Sequence, residues 1–73
     1  MDSDFEYQKE GLALELAEAV MRDYGVNVAA ALAILYNSET YAKLSDPGTG
    51  LYFQGATYVY SFLKQELETG AMA

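Results

Sequence analysis

The sequence predicts an all-α fold, a small bundle of three main helices plus a short fourth helix, with a Pro/Gly loop before the last helix. Apolar residues recur at helical spacing along most of the chain. Two groups of turn formers, at Gly25 and at residues 46–50, interrupt that pattern. Because 73 residues suffice for one domain only, we expect residues 1–73 to form a single helical domain, frayed at 1–3 and 71–73.

The first helix is predicted over about residues 4–24. Ser3 and Glu6 have the spacing of a capping box, in which the side chain of each residue bonds a backbone amide at the start of the helix. Gly25 is the residue type that commonly ends a helix, because it adopts the left-handed conformation without strain. Between these signals, apolar residues including Leu12 and Leu16 form one stripe.

The same helix carries a second apolar stripe at seven-residue intervals, formed by Tyr7, Leu14 and Met21. A helix with two apolar stripes needs two neighbours. Both neighbours can belong to the same domain, or one can come from a second copy or another protein. The pattern leaves both interpretations open.

The second helix is predicted to begin at Val28, after the N-cap residue Asn27. Its body has almost no polar residue, which predicts a central helix buried on more than one side. Ser38 is a second capping residue and predicts a short helix over residues 39–44. That helix is either separate from the second helix or continuous with it through Asn37.

The loop before the last helix is predicted from Asp46, Pro47 and two glycines, which are typical turn formers. Residues 51–54 are expected to be extended. The last main helix is expected from about Gly55 to near Gly70. Its apolar stripe consists of Val59, Phe62, Leu63 and Leu67.

Aromatic residues concentrate around this loop: Tyr36, Tyr41, Tyr52, Phe53, Tyr58 and Tyr60. Six rings at these positions do not fit one core, so some hydroxyl groups must reach water, the backbone or a partner. The rings either pack over the loop or form a recognition surface. The candidate partner-binding residues are Tyr7, Leu14, Met21, Tyr41, Tyr52, Phe53 and Tyr60.

Composition argues against several functions. With 4 Lys or Arg against 11 Asp or Glu, the formal charge of −7 disfavours binding to nucleic acid or an anionic membrane surface. The chain has neither histidine nor cysteine, so the usual zinc ligands and nucleophilic triads are missing. We expect no enzyme, no cofactor and no metal site. Acidic residues follow Met1 where a signal peptide has basic ones, which predicts a cytoplasmic protein.

The segment Leu51-Tyr52-Phe53-Gln54-Gly55 resembles the core of the site cut by a plant-virus protease. Thr49 replaces the glutamate that this protease prefers. The segment lies between predicted helices, so we expect it to be packed and to resist cleavage after Gln54.

Residues 25–66 contain Tyr36-Asn37-Ser38, Asp46-Pro47, Thr49-Gly50-Leu51-Tyr52 and Tyr58-Val59-Tyr60. This block resembles a group of short, uncharacterised bacterial proteins with the pattern YNSxTYxxLxDPxTGLY followed by YVYxxLxxE. The group is loosely associated with toxin–antitoxin neighbourhoods, so the resemblance implies a partner-binding or antitoxin-like role. Gly55-Ala56 departs from the Ser-Pro that the group places at the last helix, which makes the start of that helix less defined.

The leading hypothesis from the sequence is a non-catalytic protein–protein interaction module that forms a dimer or binds another protein. A small domain that is 52% hydrophobic leaves part of its apolar surface exposed, which favours association. The alternative is a small-molecule binding domain that uses the loop tyrosines.

Overall fold

A computed structural model of the chain describes residues 2–70, with side chains from residue 5 onward. It is 83% helical, and the described residues contain no strand, which confirms the all-α prediction. The four helices are α1 (Asp2–Tyr24), α2 (Val28–Tyr36), α3 (Glu39–Leu44) and α4 (Ala56–Thr69). Two short 3₁₀ helices, Pro47–Thr49 and Leu51–Phe53, form the connection between α3 and α4.

Helix α1 begins at Asp2, so Ser3 is already helical and the N-cap predicted at Ser3 is wrong. The side chain of Ser3 lies outside the described residues, as do Met1 and residues 71–73, where fraying was expected. The predicted end of α1 is confirmed. Gly25 has φ of 67°, and its amide donates to the Met21 carbonyl at 2.9 Å.

Helices α2 and α3 are separate, which decides the alternative that the sequence left open. Asn27 caps α2, since its side-chain oxygen accepts from the Ala30 amide at 2.9 Å. Ser38 caps α3 by accepting from the Tyr41 amide at 3.0 Å, while its hydroxyl donates to the Leu35 carbonyl at 2.6 Å. The two hydrogen bonds of Ser38 turn the chain at this point.

Helix α1 is the central element, and the prediction that α2 is central is wrong. The buried hydrophobic residues of α1 are Leu12, Ala13, Leu16, Ala17, Ala19 and Val20. Those of α2 are Ala31 and Leu35 only, although α2 contains no charged residue. One face of α2 packs on α1, and so short a chain has too few elements to cover the opposite face.

The connection between α3 and α4 is a loop at residues 46–50, as predicted, but residues 51–53 are not extended. The Asp46 side chain accepts from the Gly48 amide at 2.9 Å, and Gly50 has φ of 71°. The next residues form a 3₁₀ helix because Leu51 is buried in the core and its carbonyl accepts from the Gln54 amide at 3.0 Å. Helix α4 then begins at Ala56.

A carboxylate of α4 closes the N-terminus of α3. Glu66 accepts hydrogen bonds from the amides of Glu39 at 2.7 Å and Thr40 at 2.9 Å, and from the Thr40 hydroxyl at 2.9 Å. The first amides of a helix have no partner within the helix. Glu66, which lies 27 residues after Glu39 and 26 after Thr40, provides the acceptor for both amides and thereby joins α3 to α4.

Candidate interaction surface

An open groove runs along α1 between this helix and the segment that leads into α4. Its volume is about 630 Å³. We call it the α1 groove. Its apolar lining comes from Tyr7, Leu12, Leu14, Tyr52 and Ala56, and its polar lining from Gln8, Glu10, Glu15 and Gln54, with Gly11 and Gly55 at the backbone. Residues that are far apart in the sequence therefore meet at one surface.

Two of the residues predicted from the second stripe are exposed at this groove. Tyr7 is 82% exposed and Leu14 is 64% exposed. Phe53, close by on the 3₁₀ helix, is 71% exposed. The domain itself therefore leaves these three large apolar side chains uncovered.

Tyr52 and Phe53 belong to a short stack of rings beside the groove. The rings of Phe5 and Tyr52 meet edge to face, with centroids 4.8 Å apart and planes at 89°. The rings of Tyr52 and Phe53 are tilted by 31°, with centroids 4.2 Å apart. Both arrangements are favourable for aromatic pairs. Tyr52, which is half-buried and has a ring packed on each side, forms one wall of the α1 groove.

Leu14 also borders a second groove, of about 320 Å³, on the other side of α1. This groove is lined by Tyr36 and Tyr41, whose ring centroids are 5.0 Å apart, and by Glu10. Glu10 and Leu14 are four residues apart on α1 and line both grooves. They form a ridge, so Tyr41 lies on the opposite side of this ridge from Tyr7 and Tyr52.

The two remaining predicted residues, Met21 and Tyr60, do not line the α1 groove. Met21 is half-buried and packs against the core. Tyr60 is also half-buried, lines an adjoining groove of about 270 Å³ that shares Glu15 and Ala56 with the α1 groove, and donates its hydroxyl to the Asp23 carboxylate at 2.8 Å. Seven-residue spacing placed Met21 on the stripe of Tyr7 and Leu14, but the packing of α1 brings it to the core instead.

The hydrogen bond between Tyr60 and Asp23 shifts the pKa of both groups. Burial of the phenol raises the pKa of Tyr60 well above its ordinary value of 10, and the Asp23 carboxylate raises it further. Arg22, whose Nε donates to Asp23 at 3.1 Å, and then Tyr60 lower the pKa of Asp23. Tyr60 thus has an intramolecular partner for its hydroxyl.

The outer face of α2 is an apolar surface that the sequence analysis missed. Val28, Ala29, Ala33 and Tyr36 are exposed there. The uniform apolar sequence of α2 predicted burial on more than one side, and the limited number of neighbouring elements was the signal against it. A helix with no polar face does not show by its pattern which side faces solvent.

The acidic side chains of the described residues do not come together in any group of three or more that could bind a metal ion. Within residues 2–70, no helix combines the length and apolar character needed to cross a bilayer.

Comparisons with known proteins add no family to this description. No family model, curated protein or solved structure matches the chain. The resemblance of residues 25–66 to short bacterial proteins therefore stays a prediction from the sequence.

Proposed function

We propose that this chain is a non-catalytic protein–protein interaction module, and that the α1 groove and the ridge beside it contact the partner. The observation that carries the proposal is the exposure of Tyr7, Leu14 and Phe53 next to a groove with a fixed aromatic wall. Burying a side chain of this size stabilises a complex by about 1.5–3 kcal/mol. Tyr7 and Leu14 line the groove and Phe53 packs on its wall residue Tyr52, which gives the surface an apolar anchor.

The kind of partner proposed from the sequence is a second copy or another bacterial protein. The resemblance of residues 25–66 to proteins near toxin–antitoxin genes supports an antitoxin-like role in the cytoplasm as its specific form. Association would also stabilise so small a domain, because a partner that binds only the folded chain shifts the folding equilibrium.

The proposal is tested by changing exposed residues of the surface and measuring binding and stability separately. Tyr7→Ala and Leu14→Ala should leave the melting temperature nearly unchanged, since both side chains face solvent. They should weaken self-association in sedimentation experiments, or binding to the product of the adjacent gene. Val28→Ala is the matched control, because Val28 is exposed on a different helix.

If the chain stays monomeric at high concentration and binds the neighbouring gene product equally well in all three variants, the proposed surface is wrong. Loss of binding in Val28→Ala alone would place the contact on α2 instead. Either result is decisive because none of the three residues belongs to the buried core.

A second candidate function is small-molecule binding in the α1 groove. Its volume of about 630 Å³ lies within the range of pockets that hold small ligands, and Tyr52 would form one wall. A thermal-shift screen of metabolites tests it. A compound that raises the melting temperature of the protein but not of Tyr52→Ala would favour this function.

A further inference from the structure

We infer that the occupant of the α1 groove is a cationic, amphipathic segment of another protein. Its apolar side chains would lie against Leu14 and Tyr52, and its Lys or Arg side chains would face Glu10 and Glu15. This inference rests on the proposed function and specifies the chemistry of the partner.

The apolar part of the inference follows from the geometry of the groove. Leu14 projects from α1 as one wall, and Tyr52 is held as another by the rings of Phe5 and Phe53. A segment that buries apolar side chains between two such walls needs little rearrangement of the protein. Amphipathic helices commonly bind in grooves of this kind through apolar residues spaced along one face.

The cationic part follows from the charges around the groove. Glu10 and Glu15 line it, and the described residues of its lining include no Lys or Arg. Lys9, which lines the neighbouring groove, is already engaged: its Nζ lies 3.3 Å from a Glu6 carboxylate oxygen and 5.5 Å from the centre of the Phe5 ring. Glu15 also lines the groove that contains Tyr60, together with Arg22, but the Nε of Arg22 donates to the Asp23 carboxylate at 3.1 Å. Among the described residues, neither Glu10 nor Glu15 forms a salt bridge.

The same charges disfavour a second copy of this chain at the α1 groove. A symmetric pair joined there would bring Glu10 and Glu15 of one copy close to the same residues of the other. Each copy also carries a formal charge of −7. Like charges at an interface cost affinity, and opposite charges increase the rate of association and the specificity of binding.

The experiment uses two synthetic peptides with the same helical spacing of leucine. In one peptide the polar positions are lysine, and in the other they are glutamine. Each is titrated into the isotope-labelled full chain, and the amide signals are followed by NMR. We expect the lysine peptide to shift the signals of residues around Leu14 and Tyr52, with an affinity that falls as salt is added.

Variants locate the binding and separate charge from apolar contact. Leu14→Ala should lower the affinity for the lysine peptide roughly tenfold, as truncation of a central anchor does, whereas Val28→Ala should leave this affinity unchanged. The double variant Glu10→Gln/Glu15→Gln should weaken it by a similar factor and flatten the salt dependence. The control Glu39→Gln/Glu68→Gln changes the net charge equally at exposed residues outside the groove.

The outcomes distinguish this inference from the proposed function. Equal binding of both peptides at the groove would overturn the inference while keeping an interaction surface there. If Glu39→Gln/Glu68→Gln lowered the affinity for the lysine peptide as much as Glu10→Gln/Glu15→Gln does, the peptide would be attracted by the net charge alone. This result would also overturn the inference. A dimer that Leu14→Ala dissociates would identify a second copy as the occupant, which likewise overturns it. Absence of binding at the groove by either peptide would overturn the inference, whereas the proposed function fails only if the chain also stays monomeric and binds the adjacent gene product equally well in Tyr7→Ala and Leu14→Ala.

Discussion

Replacing Glu66 should destabilise the protein much more than replacing its neighbour Glu68. The Glu66 carboxylate accepts three hydrogen bonds from the start of α3, and Glu68 is an exposed residue of the same helix. In Glu66→Ala the amide of Glu39, which is exposed, can form a hydrogen bond with water in place of the bond to the carboxylate. Thr40 is fully buried, so its amide and hydroxyl lose their partner without such compensation.

The size of the effect follows from these two buried groups. An unsatisfied buried donor costs about 1–3 kcal/mol, and the hydroxyl of Thr40 can turn to find another acceptor, so we expect a loss of about 2–3 kcal/mol for Glu66→Ala. Glu66→Gln keeps one acceptor oxygen and should lose about half as much. A domain of this size has a free energy of unfolding of roughly 4–11 kcal/mol. Glu66→Ala should therefore lower the melting temperature by about 10–20 °C.

The pH dependence provides a second measurement of the same contact. Partial burial tends to raise the pKa of Glu66, but the hydrogen bonds from Glu39 and Thr40 outweigh it and hold the pKa below the ordinary 4.5. Because the folded pKa is lowered, the stabilisation is complete above pH 4.5 and is lost as the pH falls through the folded pKa. The difference in stability between the protein and Glu66→Gln should therefore shrink on acidification.

Denaturant unfolding followed by circular dichroism measures both effects. Glu68→Ala and Glu68→Gln are the matched controls, and we expect each to change the free energy of unfolding by less than about 0.5 kcal/mol. The reasoning is refuted if the substitutions at Glu66 and Glu68 cost the same at neutral pH. It is also refuted if the difference at Glu66 persists unchanged into strong acid.

Three further predictions concern the turn, the tyrosine and the 3₁₀ segment. Gly25→Ala should destabilise the protein by about 1 kcal/mol in thermal unfolding, because an L side chain is strained at φ of 67°; an unchanged melting temperature would contradict this. Spectrophotometric titration should show one tyrosine that ionises well above pH 10, and Tyr60→Phe should remove it because burial and Asp23 raise its pKa; loss of a different tyrosine's transition would refute the assignment. The plant-virus protease should cut slowly after Gln54 and faster in mild denaturant, since residues 51–53 are helical and Leu51 is buried, whereas proteases bind extended chains; rapid cutting of the native chain would show that the segment opens readily.

The ends of the helices followed from the sequence where one residue determines the local backbone. Gly25 ends α1 by its left-handed conformation, and Asn27 and Ser38 begin α2 and α3 by accepting from amides three residues on. These signals are local, so no knowledge of packing is needed to read them. The prediction of where α1 begins was wrong, because a capping pattern at Ser3 does not exclude a helix that begins earlier.

The sequence could not predict features that depend on distant parts of the chain. The contact of Glu66 with α3 requires the position of α4, and the composition of that helix gives no sign of it. Periodicity placed Tyr7 and Leu14 on one stripe, and both are exposed at the α1 groove. The same periodicity included Met21, which packs against the core, because spacing does not specify which neighbours a helix meets.

Because Glu66 of α4 caps α3, the stability of α3 depends on the position of α4. A six-residue helix has no stability of its own, and part of what sustains α3 comes from a side chain of α4. Anything that pulls the final helix away from the bundle therefore also releases Thr40 and the ring of Tyr41 that follows it. A displacement of α4 is in this way transmitted to Tyr41, which lines the groove of about 320 Å³ on the other side of α1.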